Sequence, residues 1–460
     1  MIKIYISIIL SIGLIISCSE QPKQIIAPAT KTILADSVLT FSEHISPIIY
    51  NNCVECHHEK GGAPFSLTNY HDVAKRSRMI AYVTAEKYMP PWPANKSYST
   101  FLGEKGLTDK EIKQIRTWHK QGALQGDPAL EAKLPQQVNA KKQKPDLVVK
   151  MPAQIPIKGD NLDRFLIAKL PYTIPQDTFV RMIEFVPGNR RFVHHVNGHL
   201  IRYLKPKDLS KGKNWVDREI YTQMEAYKAM DFPYKDGTFP TLTPSAFNYL
   251  PGVQPVKYPE GIGGFKLSKK GIFYLNDVHY GPSPIDTFDQ SYVNIYFADK
   301  APKRPLREFI LGTVGVSPVV PPLRIPPNTV KSFRTEVTLQ GDVSLVTINP
   351  HMHLLGKSMK AYAITPQSDT IPIIHIEDWN FRWQFFYTFE KLLVLQKGTT
   401  IIVEATFDNT TDNLDNPFDP PRLVTDREGS MKTTDEMFQF IVNYLPYKKG
   451  DENISLGVEE

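Results

Sequence analysis

The sequence predicts a multidomain, mainly β protein with one small all-α unit near its N-terminus. At 460 residues the chain exceeds what a single core holds and suggests about three domains of ~150 residues each. Its 38 prolines and 11% aromatic residues favour short strands punctuated by turns over long helical bundles. A helical pattern does occur from Thr108 to Ala123, where Thr108-Asp109-Lys110-Glu111 reads as a capping box and Ile112, Ile115, Trp118 and His119 recur at helical spacing. Hydrophobic residues at 41% supply ample material for burial. The 54 Lys+Arg against 48 Asp+Glu leave a net charge of only +6, with no basic block interleaved with aromatics, so no nucleic-acid partner is expected.

Taken in order, residues 1–18 combine Lys3, the apolar run Ile4 to Ile16, and Ser17 before Cys18, the pattern of an export signal that is cut away. Ile15-Ile16-Ser17-Cys18 resembles a bacterial lipobox, which would make Cys18 the lipid-modified N-terminus; a signal peptide with an incidental cysteine is the plainer alternative. Residues 19–36 read as a tether. The expectation is an exported protein, lipid-anchored to a bacterial membrane and facing the periplasm or cell surface. No later stretch reaches the ~18 apolar residues of a spanning helix, so the anchor alone would contact the membrane.

Cys53-Val54-Glu55-Cys56-His57 carries the other two cysteines in the C-x-x-C-H pattern of covalent c-type haem attachment. Each thiol would add to a haem vinyl group, and His57 would be the proximal iron ligand. A thioredoxin-like pair leaves His57 unexplained, and a zinc site lacks its second cysteine pair. Met89, in Tyr88-Met89-Pro90-Pro91-Trp92, sits on a proline-stiffened loop and is the candidate sixth ligand, with Met79, His71 and His119 in reserve. Phe41 to Tyr70 and Met89 to Pro93 resemble small bacterial cytochrome c domains, a match covering residues 37–127.

From 128 to 148 the chain turns to Pro, Gln, Lys and Ala, which marks a linker. Beyond it, three histidine-bearing segments are rich in β-branched and aromatic residues and belong on or beside strands: Phe192 to Val196, Gly271 to Tyr280 and Val343 to His353. His351 and His353, at i and i+2, project from one strand face and can share a metal. His194 and His195, as neighbours, would point to opposite faces unless a bulge swings one round. His279 by itself is more simply a core histidine.

Together these segments resemble the copper type II, ascorbate-dependent monooxygenases, the family of peptidylglycine and dopamine hydroxylating enzymes. Its paired histidines match His194-His195, its His-Tyr-Gly matches His279-Tyr280-Gly281, and its His-x-His with Leu-Gly-Lys matches His351-Met352-His353 and Leu355-Gly356-Lys357. Its Asp-Glu-Met matches Asp435-Glu436-Met437. The resemblance implies two β-sandwich, jelly-roll-like domains, at 149–303 and 304–450. It also implies two copper ions, one on His194, His195 and His279 and one on His351, His353 and Met437. A thioether among imidazoles suits a soft ion such as Cu(I), which agrees. By resemblance the methionine-side centre, with His351, His353 and Met437 as its catalytic ligands, would use O2 to hydroxylate a C–H bond of a small-molecule substrate. The three-histidine centre would deliver the second electron. The fused haem would relay electrons from an ascorbate-like reductant or a periplasmic redox protein.

Departures from the family concern the substrate. Peptide-hydroxylating members place an Arg two positions before the His-x-His and an Asn and a Tyr after the methionine; here those positions are Asn349, Gln439 and Ile441. Asn349 lacks the guanidinium fork that grips a carboxylate, so a peptidylglycine substrate is not expected. His199 and His375 have no counterpart in the motifs. The alternative from another class is a non-catalytic haem and copper electron-transfer or copper-sensing lipoprotein.

Overall fold

Helices gather in the first third of the chain and strands fill the rest, as the computed structural model describes for residues 38–59, 61–135, 143–243, 245–259, 261–262, 264–427 and 432–457. Cys18, the export signal 1–18 and the tether 19–36 lie outside these residues. The helices there are Ser46–Asn52, Tyr70–Ala74, Ser77–Ala85 and Asp109–Lys120, and one further short helix, Gln223–Ala229, lies among the strands. Asp109–Lys120 begins on the expected capping box: the Thr108 hydroxyl accepts from the Glu111 amide at 3.3 Å and the Glu111 carboxylate accepts from the Thr108 amide at 2.7 Å. Its Ile115 and Trp118 are buried with Phe41, Ile45, Ile49 and Val73 in a separate apolar cluster. The Trp118 indole N–H is satisfied by the Leu124 carbonyl at 2.9 Å, so this large ring is buried without stranding a donor.

Strands begin at Leu147, two residues inside the stretch read from composition as linker. Leu147–Lys150, Tyr292–Phe297, Thr178–Val186 and Phe265–Leu267 form one antiparallel sheet in that order. Trp215–Asp217, Arg164–Thr173, Lys270–Tyr280, Val193–Arg202 and Thr241–Leu242 form the second, with Phe247–Tyr249 also pairing with Val193–Arg202. Alternate residues of both sheets, among them Ile183, Phe185, Val293, Ala168, Leu170, Val196 and Phe273, meet in one core.

A further pair of four-stranded antiparallel sheets follows. One is ordered Arg307–Gly312, Phe438–Pro446, Val343–Met352, Tyr387–Leu395; the other Thr329–Thr338, Thr400–Asn409, Gly356–Ile364, Thr370–Ile376. Their inward residues, including Ile348, Phe333, Ala361, Val403 and Phe440, form a second core. The chain is mainly β with few helices, as composition suggested. The first core is not confined to the first sheet pair: Val346, Leu392, Leu445 and Leu456 are part of it. A buried ion pair crosses the same border, Arg304 donating to both carboxylate oxygens of Asp451 at 2.6 Å. Among the described residues no helix is long and apolar enough to cross a membrane.

Candidate metal centre

His194 and His195 lie on the Val193–Arg202 strand and His279 on its neighbour, Lys270–Tyr280. Antiparallel register sets His279 directly opposite His195, then steps to Tyr280 opposite Val193, leaving His194 as the extra residue of a bulge. That irregularity brings adjacent histidines to one side: the His194 and His195 rings lie 5.0 and 4.8 Å from the His279 ring. Gly281 completes the cradle, since a Cβ there would fall 2.1 Å from His194 Cε1.

The hydrogen bonds fix which nitrogens face inward. His195 Nε2 lies 3.1 Å from Asp277 Oδ2 and His279 Nε2 lies 2.7 Å from Asp163 Oδ1. A carboxylate only accepts, so both imidazoles donate from Nε2 and carry a lone pair on Nδ1. Those two Nδ1 atoms are 3.2 Å apart. Two acceptors facing each other at that distance repel, and a cation between them relieves it; carboxylate-oriented histidines are the usual outer arrangement of a metal site. Asp163, His194 and His279 also offer three ligand atoms within 4.8 Å of one another. Burial first, against the pull of Asp163, pushes His279 down to about 3 and His194 to about 4, which keeps both imidazoles neutral as ligation requires. Arg218, 3% exposed, neutralises Asp277 at 2.8 Å.

The second cluster repeats the device with opposite nitrogens. His351 ends the Val343–Met352 strand region, with His353 just past it; their rings lie 5.1 Å apart. His351 Nδ1 meets Gln384 Oε1 at 2.5 Å and His353 Nδ1 meets the Asp435 carbonyl at 2.8 Å, leaving Nε2 of each for another partner. Burial lowers His351 to about 4 and His353 to about 3. Register ends with Met352 paired to Phe438, so the buried Met437 and His353 each lie one residue beyond the last pair. Between Asp435 and Met437, Glu436 braces the turn: its carboxylate accepts from the backbone N–H groups of His353, Leu355 and Met437 at 3.0, 2.7 and 3.1 Å. Burial nevertheless pushes that carboxyl up to about 8.

Phe381 stands between the clusters, its ring 6.3 Å from His195, 6.4 Å from His279 and 5.8 Å from His353. The same loop supplies Gln384 and the Arg382 guanidinium, 3.5 Å from Asp163. Asn349, at the position of the family's substrate arginine, is 4% exposed and donates to the Phe385 carbonyl at 2.9 Å, while Gln439 donates to the Thr313 carbonyl. Both amides are turned into the protein. His199 engages the Thr243 carbonyl and His375 lies near Glu377, so neither joins the histidine clusters.

In the helical segment Cys53 and Cys56 form no disulfide, and burial pushes the Cys53 thiol up to about 12. His57 Nδ1 lies 3.1 Å from the Phe65 carbonyl, which leaves Nε2 available, the arrangement a proximal iron ligand needs. Met89 is 37% exposed and follows the Ser77–Ala85 helix; its amide bonds the Val83 carbonyl. Of its reserves, His119 is engaged by the Ser77 hydroxyl and Met79 is exposed. Asp163, Arg218, Asp277, Phe381 and Gln384 were not singled out in the sequence. Only Asp277 carries a local signal, being two residues before His279 on one strand.

Two histidine clusters with oriented ring nitrogens, on or beside strands of two different sheets, have the donor set that metal ligation requires. Residues 316–449, which include His351, His353 and Met437, match the family model of the copper type II ascorbate-dependent monooxygenase, C-terminal domain. On that match the protein is a copper-using oxidoreductase of the monooxygenase class. No curated protein matches the chain in sequence. Among solved structures, the infectious bursal disease virus Gt strain is similar at 10% identity over 69% of this chain and 85% of that one, with a TM-score of 0.15. The VP2 subviral particle of that virus is similar at 7% identity over 68% and 84%, with a TM-score of 0.14. Scores this low carry no argument about the fold.

Proposed function

We propose that the protein hydroxylates a C–H bond of a small-molecule substrate, consuming O2, two electrons and two protons and releasing the alcohol and water. His194, His195 and His279 would hold one copper ion, and His351, His353 and Met437 the other. Bound there, copper supplies one-electron redox chemistry toward O2. The chain's own groups do the rest. Asp163, Asp277, Gln384 and the Asp435 carbonyl fix the tautomer and aim of His279, His195, His351 and His353 respectively. Phe165, stacked 4.3 Å from His279, and Phe381, 6.4 Å from it, supply apolar packing around that imidazole. With Asn349 turned inward, no guanidinium at that position grips a substrate carboxylate, which disfavours peptidylglycine.

Cys53, Cys56 and His57 would hold a covalent haem in a domain spanning 37–127, with Met89 as sixth ligand, and this haem would relay electrons from an ascorbate-like reductant or a periplasmic redox protein. The observation that carries the copper reading is the pair of Nδ1 lone pairs 3.2 Å apart, each fixed by a carboxylate behind it. Elemental analysis of protein matured with a c-type haem system should give one iron and two coppers per chain. Met437→Ile should abolish substrate hydroxylation while His194, His195 and His279 keep their copper. Unchanged substrate-dependent O2 uptake in that variant sinks the assignment.

A further inference from the structure

Glu55, inside the haem-attachment motif, is held from two sides: its Oε2 accepts from Lys105 Nζ and its Oε1 from Gln254 Nε2, both at 3.0 Å. Lys105 Nζ also donates to the Gly252 carbonyl. Gly252 has φ of +74°, a conformation that favours glycine, and a Cβ built on it would lie 2.2 Å from Cys56 Sγ. The Gly252 backbone thus rests on the sulfur itself. Nearby, a Cβ on Gly62 would lie 3.2 Å from Pro251 Cβ and 3.4 Å from the Arg190 carbonyl oxygen.

Both touched segments run into the three-histidine cluster. Gly252 follows the Phe247–Tyr249 strand, whose Tyr249 pairs in register with Val196, the neighbour of His195. Arg190 precedes His194 by four residues. A second route exists toward the other cluster: Trp92 lies 5.4 Å from Phe385, and Phe385 follows Gln384, which holds His351. That route starts from a side chain three residues past Met89, whereas Gly252 meets an atom that would be bonded to the haem.

We propose that Gly252 is the electron-entry contact of this protein, joining Cys56 to the three-histidine cluster, an inference that rests on the haem and copper readings above. One electron would leave a ferrous haem bonded to Cys56, cross to the Gly252 backbone, and pass through the Tyr249–Val196 pairing to reduce a cupric ion at His195. The haem ends ferric and the copper cuprous, with no proton moved. Glu55, Lys105 and Gln254 are positioning residues that keep the contact shut.

The test is flash photoreduction of the haem in full-length, haem-bearing, copper(II)-loaded protein without O2, with reoxidation read from the haem α-band. Gly252→Val should slow reoxidation severalfold, because a Cβ 2.2 Å from Cys56 Sγ has to push the contact open. Haem content and the cupric resonance signals should be unchanged. If that variant folds poorly, Glu55→Gln combined with Gln254→Ala loosens the same contact and should slow the same phase, whereas Trp92→Leu should leave it as in the parent. Parental reoxidation in Gly252→Val, or an equal slowing in Trp92→Leu, overturns the proposal. A parent chain that matures without covalent haem overturns the haem reading beneath it.

Discussion

Asp163 and Asp277 set the chemistry of the three-histidine cluster without being histidines. Each accepts from one Nε2–H and so commits the ring's other nitrogen to the space shared with its neighbour. Asp163→Asn leaves an amide that can still pair with Nε2 but no longer dictates the tautomer. We expect it to weaken copper binding at this cluster by about 10–100-fold, the usual effect of removing such a partner. Competition titration against a copper chelator measures this, and parental affinity would refute it. The histidines were legible from motif and spacing, but their partners were mostly not. Asp277 shares a strand face with His279, while Asp163, Arg218 and Gln384 arrive from segments that only the tertiary fold brings near. Glu436 was visible as part of a motif, and only the three backbone N–H groups it receives explain its place there.

The strand element shows why two adjacent histidines can serve one centre. Pleat geometry says they diverge, and the sequence could state only that a bulge was required; the register slip between His279 and Tyr280 provides it. Gly281 then becomes interpretable as the residue whose missing side chain leaves room for the His194 imidazole. Gly356 plays a comparable part beside Trp379 Cδ1, 2.6 Å from where its Cβ would fall. Gly281→Ala should therefore displace His194 and leave about one tightly bound copper per chain, held by the undisturbed His351 side. Two tightly bound coppers in that variant would contradict the cradle. The capped helix Asp109–Lys120 was readable because its signals are local, whereas the strand opening at Leu147 was missed because pairing with Tyr292–Phe297, not composition, makes it a strand.

For the whole molecule the buried imidazoles set an acid limit. His194 and His351 are held down to about 4, and His279 and His353 to about 3, primarily by burial, from an ordinary value of 6.5. Below pH 6.5 the unfolded chain takes up protons that the folded one refuses. Their contribution to stability is thus complete above about pH 6.5 and lost as pH falls toward about 4. Thermal unfolding of copper-free protein should give a lower Tm at pH 5 than at pH 7.5, and an equal or higher one would show that these rings are not buried neutral.

The core that joins Val346, Leu392, Leu445 and Leu456 to the first sheet pair has a kinetic meaning. Swinging the sheet pairs apart would bare those side chains, and Leu445 and Leu456 alone would cost about 3–6 kcal/mol at ~1.5–3 kcal/mol each. An open hinge is then a rare excursion. The closed arrangement also keeps the Phe381 ring wedged against His195, His279 and His353, so the two histidine clusters hold a fixed separation.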